Sequence, residues 1–528
     1  MLSLSSVARR CAGFGALLGA CMSVHAAPAT PVVTTSSGAI KRLDFDWEII
    51  PRSNYYELWF QSNQASPYVK FSESVPWRPH ASNNISAHLL DWQQARYLVK
   101  ACNPSGCSQT APISVENLFY DSLGYLKASP SRAGARFGVA TALSEDGNTL
   151  AVVADGEPSS SSDPGHVAIY VFAKSGNAWR QQARLRPTAI NDDNAEAPAI
   201  TISRDGSVVA LGLLGADPEG PAGTSLTGAV YVFQRSGTAW MQKQKLSRPS
   251  TASFFGFNLK LDEAGHTLLV VDASRRGSGT IYSDATGMWT LHHFIPGYGG
   301  DKFCETMTLS GDAATVARIC SPDSGNSFVE FIDAQNGGPA EEQLVFTRYQ
   351  TGTRFGQLAV SYDASVLIAS AQPVFGSSQL PNVAIIDRNS GLNDTLVPDW
   401  GCLDQWTSAY GSRIAISHDG KVIAISDPAD KCTEIGSQQY PGTKGSTAQG
   451  AVYIYGKHSS GTWPRRRVLH RNGNAALAAS ATFGNELALG DNGHTLAISQ
   501  VADRSGASGV DGDRDSTSKG ASGAVWLY

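Results

Sequence analysis

Asp511, Asp513 and Asp515 stand at alternate positions, the spacing in this chain that most resembles a ligand set. Alternation in a loop that contains Gly512 can aim several carboxylate oxygens at one hard cation. Calcium, which takes roughly six to eight oxygens, is the ion such a trio would suit. No glutamate follows at a loop-closing position, so a solvated acidic loop is the plainer alternative. Catalytic spacings are missing elsewhere. The 11 histidines form no His-Glu-x-x-His, and there is neither a Gly-x-Ser-x-Gly elbow nor a phosphate-cradling Gly-Lys-Ser/Thr loop. No catalytic residue and no cofactor is assigned.

The other chemistry-bearing residues are the 8 cysteines. Cys11 and Cys21 lie in an amino-terminal targeting segment, in which Arg9 and Arg10 precede an apolar run to Val24 that is too short to span a bilayer. Two readings of its end stay open. Val24-His25-Ala26 suits ordinary signal cleavage before Ala27, giving a signal peptide of residues 1–26, and Leu18-Gly19-Ala20-Cys21 suits a bacterial lipoprotein box with a lipid anchor on Cys21. Either way the chain is exported, to the periplasm, the outer membrane or the exterior, where disulfides are permitted. Cys304 and Cys320 stand symmetrically about Asp312, the centre of an expected hairpin, and Cys102 and Cys107 flank the turn Asn103-Pro104-Ser105-Gly106. Cys402 and Cys432 remain as disulfide candidates. Without a Cys-x-x-Cys pair or a histidine cluster, zinc is not expected.

Composition narrows the class. Charged residues make up 16% of the 528 positions, against about 25% in an average soluble domain, and Gly is found 53 times. Both favour a secreted all-β protein. A formal net charge of −5 carries no polyanion-binding signature, so nucleic acid is not an expected partner. No later stretch reaches the length of a transmembrane helix.

What must position these residues is a repeat. An aromatic-Gly step opens units at Phe137, Phe255, Phe355, Tyr410 and Phe483, with Phe303-Cys304 and a degenerate Glu196-Ala197 as further copies, which makes seven. Turns follow at Asp146-Gly147, Asp205-Gly206, Asp419-Gly420 and Asn492-Gly493, residues that tolerate positive φ in tight hairpins. His266 and His494 hold equivalent places after such turns, which argues for architecture over catalysis. Third strands repeat as Gly228 to Phe233, Gly450 to Tyr455 and Gly523 to Tyr528. Fourth strands set Trp179, Trp240, Trp289 and Trp463 six residues ahead of an aliphatic, a packing position rather than a sugar-binding belt. Four strands per unit suit propeller blades better than solenoid coils. The last copy ends on its third strand, and the orphan strand 120–129 is expected to supply the fourth and close the ring.

Ahead of the repeats, Leu43 to Trp47 alternates as a strand, Tyr55 to Phe60 follows, and Tyr97 to Ala101 leads into the Cys102 hairpin. With Trp47 as its large core residue, this stretch resembles a fibronectin type III domain. The Phe-Gly openings, the Ser-x-Asp-Gly turns and Gly215-Ala216-Asp217-Pro218 resemble the FG-GAP repeats of integrin α-subunits and, more closely, of bacterial secreted FG-GAP repeat proteins. The expected fold is therefore all-β: a linker at 27–38, a fibronectin-like β-sandwich at 39–116, and a seven-bladed β-propeller at 117–528. Integrin propellers carry calcium in Asp-x-Asp-x-Asp-Gly loops. Here the equivalent loops are clipped to hairpins such as Ser144 to Gly147, so those sites are not carried over.

The second-to-third-strand loops are long at 427–449, 501–522, 154–165 and 214–227, which builds up one arc of one face. The resemblance implies that this loop class is the ligand-binding one. The expected function is an exported, non-enzymatic binding or adhesion protein that presents this arc to a protein or glycan. The alternatives are a propeller hydrolase or lyase acting on extracellular polymer, or a structural envelope component. Convergence of acid and base side chains at the channel mouth is the feature that would favour the enzyme.

Overall fold

A computed structural model describes residues 26–157, 166–176, 178–188, 196–214, 228–247, 254–272, 277–298, 302–322, 326–338, 342–346, 353–372, 380–398, 408–431, 448–470 and 483–528. The targeting segment, with Cys11 and Cys21, lies outside them, as do Cys402 and Cys432. The fold is all-β. Among the described residues, no helix is long and apolar enough to cross a membrane.

The amino-terminal module consists of a three-stranded sheet of Val33–Ala39, Arg42–Trp47 and His80–Asn84 packed on a four-stranded one of Val69–Ser74, Tyr55–Gln61, Arg96–Asn103 and Gly106–Gln109. Alternation puts Leu43, Phe45 and Trp47 on the inner face of the first sheet, against Tyr56, Leu58, Tyr97 and Val99 from the second. Val33–Ala39 corrects one expectation. The second half of the stretch expected to be a linker, residues 33–38, is strand, paired antiparallel with Arg42–Trp47 from Val33↔Trp47 to Ala39↔Arg42.

Six four-stranded antiparallel meanders follow, then a five-stranded sheet. Their first strands are Ala140–Leu143, Glu196–Ile202, Phe255–Leu261, Lys302–Leu309, Arg354–Val360, Ile414–Ile416 and Phe483–Gly490. Each packs against the next, and Phe483–Gly490 packs back on Ala140–Leu143, so the set forms a closed cycle, a β-propeller. The repeated residues explain the repeated geometry. Phe137, Phe255, Phe355, Tyr410 and Phe483 are each fully buried. The glycine after Phe137 has φ +102°, and a Cβ there would come within 2.9 Å of Ser499 Cβ on the neighbouring sheet. Trp179, Trp289 and Trp463 are buried in the clusters between sheets, as their repeat position implied.

The Ser-x-Asp turn, followed by Gly or Ala, is a hydrogen-bond hub. Ser144 Oγ donates to Asp146 and accepts the N–H of Thr149 at 2.9 Å; Ser203, Ser310, Ser361 and Ser417 repeat both bonds in their own hairpins.

The last sheet contains the orphan strand. Gly124–Lys127 pairs antiparallel with Ala524–Leu527 through Leu126↔Val525, Tyr125↔Trp526 and Gly124↔Leu527, and its other edge is covered by Gly509–Val510. Sandwich and propeller share one core. Trp92, Leu118, Phe119 and Tyr125 join Leu43 and Phe45 to Ile454, Leu469, Phe483 and Trp526 without a break. The position expected as a domain boundary, 116/117, therefore falls within a packed region, at the 3-10 turn Glu116–Leu118.

Candidate functional site

In an antiparallel meander the first-to-second-strand turns and the second-to-third-strand loops leave opposite ends of the sheet. The ring consequently has a turn face and a loop face. On the turn face, neighbouring first-to-second-strand hairpins meet through the backbone. Asp146 N–H donates to Arg204 C=O, Arg204 to Glu263, Glu263 to Gly311, Asp312 to Tyr362, Tyr362 to His418, and Asp491 to Glu145, at 2.6 to 3.2 Å. Side chains from these positions converge. His418 Nδ1 lies 2.6 Å from Glu263 Oε1, Arg204 donates to Glu263 Oε2 at 2.9 Å, and the Tyr362 ring stacks on His418 at 4.4 Å. Gly311 leaves room for them, since a Cβ there would come within 2.6 Å of Tyr362 and 2.9 Å of Glu263.

Lys260 and Glu145 complete the cluster. Lys260 is exposed on the strand Phe255–Leu261, and the packing of protein around it lowers its pKa against the pull of Glu263 and Glu145. Burial likewise raises the pKa of Glu145, whose carboxylate accepts the Asn492 N–H at 2.9 Å. Deeper in the ring, burial raises Glu486 to about 7 even though Arg413 donates to it at 2.6 Å. These groups have the types needed for acid–base chemistry. Glu263, however, spends both oxygens, one on His418 and one on Arg204.

The cluster was missed in the sequence because all its residues but Lys260 sit inside a turn motif read as scaffold. The available signal was variation at one repeat position. Glu145, Arg204, Glu263, Gly311, Tyr362, His418 and Asp491 differ between turns whose flanking residues repeat.

The residues singled out by spacing are placed differently. Asp511 Oδ1 accepts the N–H of Tyr125 at 2.9 Å, while its own N–H donates to Tyr125 C=O at 2.7 Å. Asp513 Oδ1 accepts the Asp515 N–H at 3.1 Å. The three carboxylates do not gather within 4.8 Å of one another; among the described residues the one trio that does is Glu57, Cys102 and Cys107, whose thiols are oxidised. Cys102–Cys107 and Cys304–Cys320 are disulfides, the latter joining residues directly opposite in the register, as their spacing predicts.

Of the four long loops, 501–522 is described throughout, while much of the other three lies outside the described residues. Loop 501–522 acts as a strap on the closing strand. Arg514 donates to Tyr120 C=O and Leu123 C=O at 2.8 Å each, and Asp503 and Ser522 accept from Lys127 Nζ at 2.8 and 2.7 Å. These bonds tie the loop to the closing strand, while Arg504, Asp511, Asp513, Asp515 and Ser518 remain exposed on it.

A second site lies where the sandwich meets the last two sheets. A cleft of about 950 Å³ runs between residues 60–97 of the sandwich and Arg465, Arg466, Arg467 and His494 of the propeller. His88 Nε2 donates to Gly493 C=O at 2.8 Å, Ser86 Oγ meets His494 Nδ1 at 3.0 Å, and Lys41 Nζ donates to His494 C=O at 2.8 Å. Of the equivalent His266 and His494, only the latter is thus recruited to the junction. Arg467 donates to Leu90 C=O at 2.8 Å and stacks on Phe119, but its buried Nε and Nη2 have no hydrogen-bond partner.

Sheets and ring define a β-propeller with an appended β-sandwich. No protein-family model and no curated protein matches the chain. Solved structures similar to it include the WD40 repeats of RRP9, at 10% identity and TM-score 0.44 over 77% of this chain and 96% of that one. Sqt1 of Saccharomyces cerevisiae gives 11% and 0.43 over 76% and 97%. The periplasmic gluconolactonase of Pseudomonas aeruginosa gives 12% and 0.40 over 79% and 96%.

Proposed function

We propose that this chain is an exported, non-enzymatic binding protein: a seven-bladed propeller of the FG-GAP kind fused to a fibronectin type III-like sandwich, with a glycan taken up in the cleft between them. The cleft itself carries the reading. It has the volume of an ordinary ligand pocket and is walled by two modules. A rigid shared core holds those walls in place. Two disulfides accord with export to an oxidising compartment. The test is capture of extracellular polysaccharides and cell-surface extracts by the intact mature chain, wild type against Gln94→Trp, a bulky substitution at an exposed position on the cleft wall. Equal capture by the variant would remove the cleft from the proposal.

A second reading is a hydrolase or lyase working at the turn face, and the convergence of Glu145, Lys260, Glu263 and His418 favours it. It ranks below binding because Glu263 is already spent on its neighbours. New reducing ends or unsaturated products from an extracellular polymer, abolished in His418→Gln, would reverse that order.

A further inference from the structure

We infer that the end of the sandwich remote from the propeller is a lipid-contacting tip, which seats on an anionic bilayer surface through Val32, Ile49, Val75 and Trp77. This goes beyond the cleft, which lies at the opposite end of the module.

Strand register gathers the four residues. Strand Arg42–Trp47 starts beside the propeller, where the Lys41 N–H donates to Ser122 C=O at 2.7 Å, and its six residues end about 17 Å away. At that far end Val33 pairs with Trp47, and the Trp47 N–H donates to Pro79 C=O at 3.0 Å. Val32, the loop after Trp47 and the loop before His80 are therefore side by side. Tyr56 joins the two loops: its hydroxyl accepts the Ile50 N–H at 2.8 Å, and it pairs with Ser74, the residue before Val75.

Exposure at the tip is fixed by the backbone. Val32 is 83% exposed, Ile49 59%, Val75 40% and Trp77 73%. Pro76 and Pro79 restrict the chain on both sides of Trp77, and the Arg78 N–H closes a turn on Val75 C=O at 3.0 Å. The core beneath is already filled by Trp47 and Tyr56, packed edge to face at 5.0 Å. Apolar side chains left together in water mark a contact surface.

Charge and chain course choose the occupant. Arg52 and Arg78 are exposed at the tip against Glu48, while Asp46 is met by His80 at 2.7 Å. A tryptophan and aliphatic side chains flanked by arginines suit the headgroup layer of a membrane, with the apolar groups at the acyl boundary and the guanidinium groups on phosphate. Asn103 Nδ2 donates to Ala26 C=O at 3.0 Å and to Arg52 C=O at 3.2 Å, so the described chain starts at this same tip. Cys21 lies five residues earlier, at most about 18 Å of extended chain. A lipid anchor there would place the tip at the membrane surface.

Co-sedimentation of the unlipidated mature chain, residues 27–528, with vesicles of phosphatidylethanolamine and phosphatidylglycerol tests the tip without help from an anchor. The expected result is saturable binding that Trp77→Ser weakens by about 10-fold or more at an unchanged melting temperature. Arg52→Gln/Arg78→Gln should remove the preference for these vesicles over phosphatidylcholine ones. Met241→Ser, a like change at a 62% exposed position on the propeller, should leave binding intact. Binding that Trp77→Ser does not alter, or that Met241→Ser lowers equally, overturns the tip as the contact. Absence of binding overturns the bilayer as its occupant. A concentration-dependent dimer broken by Trp77→Ser, in place of vesicle binding, reassigns the tip to a second copy of the chain and likewise overturns the inference.

Discussion

Lys127 and Arg467 are both cations held where the early part of the chain meets its last two sheets, yet their surroundings differ. Lys127 is 1% exposed, and its ammonium reaches Asp503, itself 2% exposed, at 2.8 Å and Ser522 at 2.7 Å. Asp503 in turn accepts the Tyr125 hydroxyl and the Ser505 N–H, both at 2.9 Å. Arg467 has one carbonyl and one aromatic face, with two N–H groups left over. A saturated buried pair fixes a register. An under-satisfied buried cation costs stability until something accepts from it.

The largest effect should come from breaking the saturated side. Lys127→Met leaves Asp503 buried without its cation and should cost about 3–5 kcal/mol in denaturant unfolding. The double variant Lys127→Met/Asp503→Leu should recover much of that loss. If the single variant costs less than about 1 kcal/mol, the seam is not the closed, dry joint its distances describe.

Next in size is an acid effect confined to the cleft side. His88 is fully buried beneath the sandwich, and burial, reinforced by the Lys41 charge, pushes its pKa down from 6.5 to about 3. The unfolded chain therefore takes up a proton that the folded chain refuses. Stability from this group is complete above pH 6.5 and is lost as pH falls towards 3, with about 2 kcal/mol gone by pH 5. His88→Gln, which keeps a donor for Gly493 C=O, should flatten that slope between pH 7 and 5. An unchanged slope would place the acid-sensitive group elsewhere.

Arg467→Met sharpens the contrast from the other direction. Since the guanidinium is incompletely paired, its removal should change stability by less than about 1 kcal/mol, or raise it, while Lys127→Met is severe. A loss above about 3 kcal/mol would mean that Arg467 is structural after all.

Legibility followed the same division. Period-two alternation, the aromatic-Gly openings and the Asp-Gly turns are local signals, and they gave the strands, the hairpins and the Cys304–Cys320 pairing, since each depends on residues near in sequence. Lys127 and Asp503 are separated by 376 positions, and His88 and Gly493 by 405. Nothing in a spacing announces such partners. Strand Val33–Ala39 was hidden by its Thr and Ser content, which reads equally well as a linker. Glu145, Glu263 and His418 were hidden for a different reason: each occupies an ordinary turn, and only ring geometry brings the turns together.

The smallest effect concerns Asp511, the residue with which the spacing argument began. Its Oδ1 accepts the Tyr125 N–H, which belongs to the closing strand. Arg514 lies 3.7 Å away, too long for a hydrogen bond. Asparagine retains an Oδ1 acceptor, so Asp511→Asn should alter stability by less than about 0.5 kcal/mol, whereas Asp511→Ala should cost about 1 kcal/mol by leaving that N–H unpaired. Melting curves in calcium and in chelator should coincide for both wild type and variant if the carboxylate serves only the strap. A calcium-dependent rise that disappears in Asp511→Asn would instead show that the three aspartates gather round an ion. The strap would then be a metal-clamped element, and the seam would owe part of its strength to that ion as well as to Lys127.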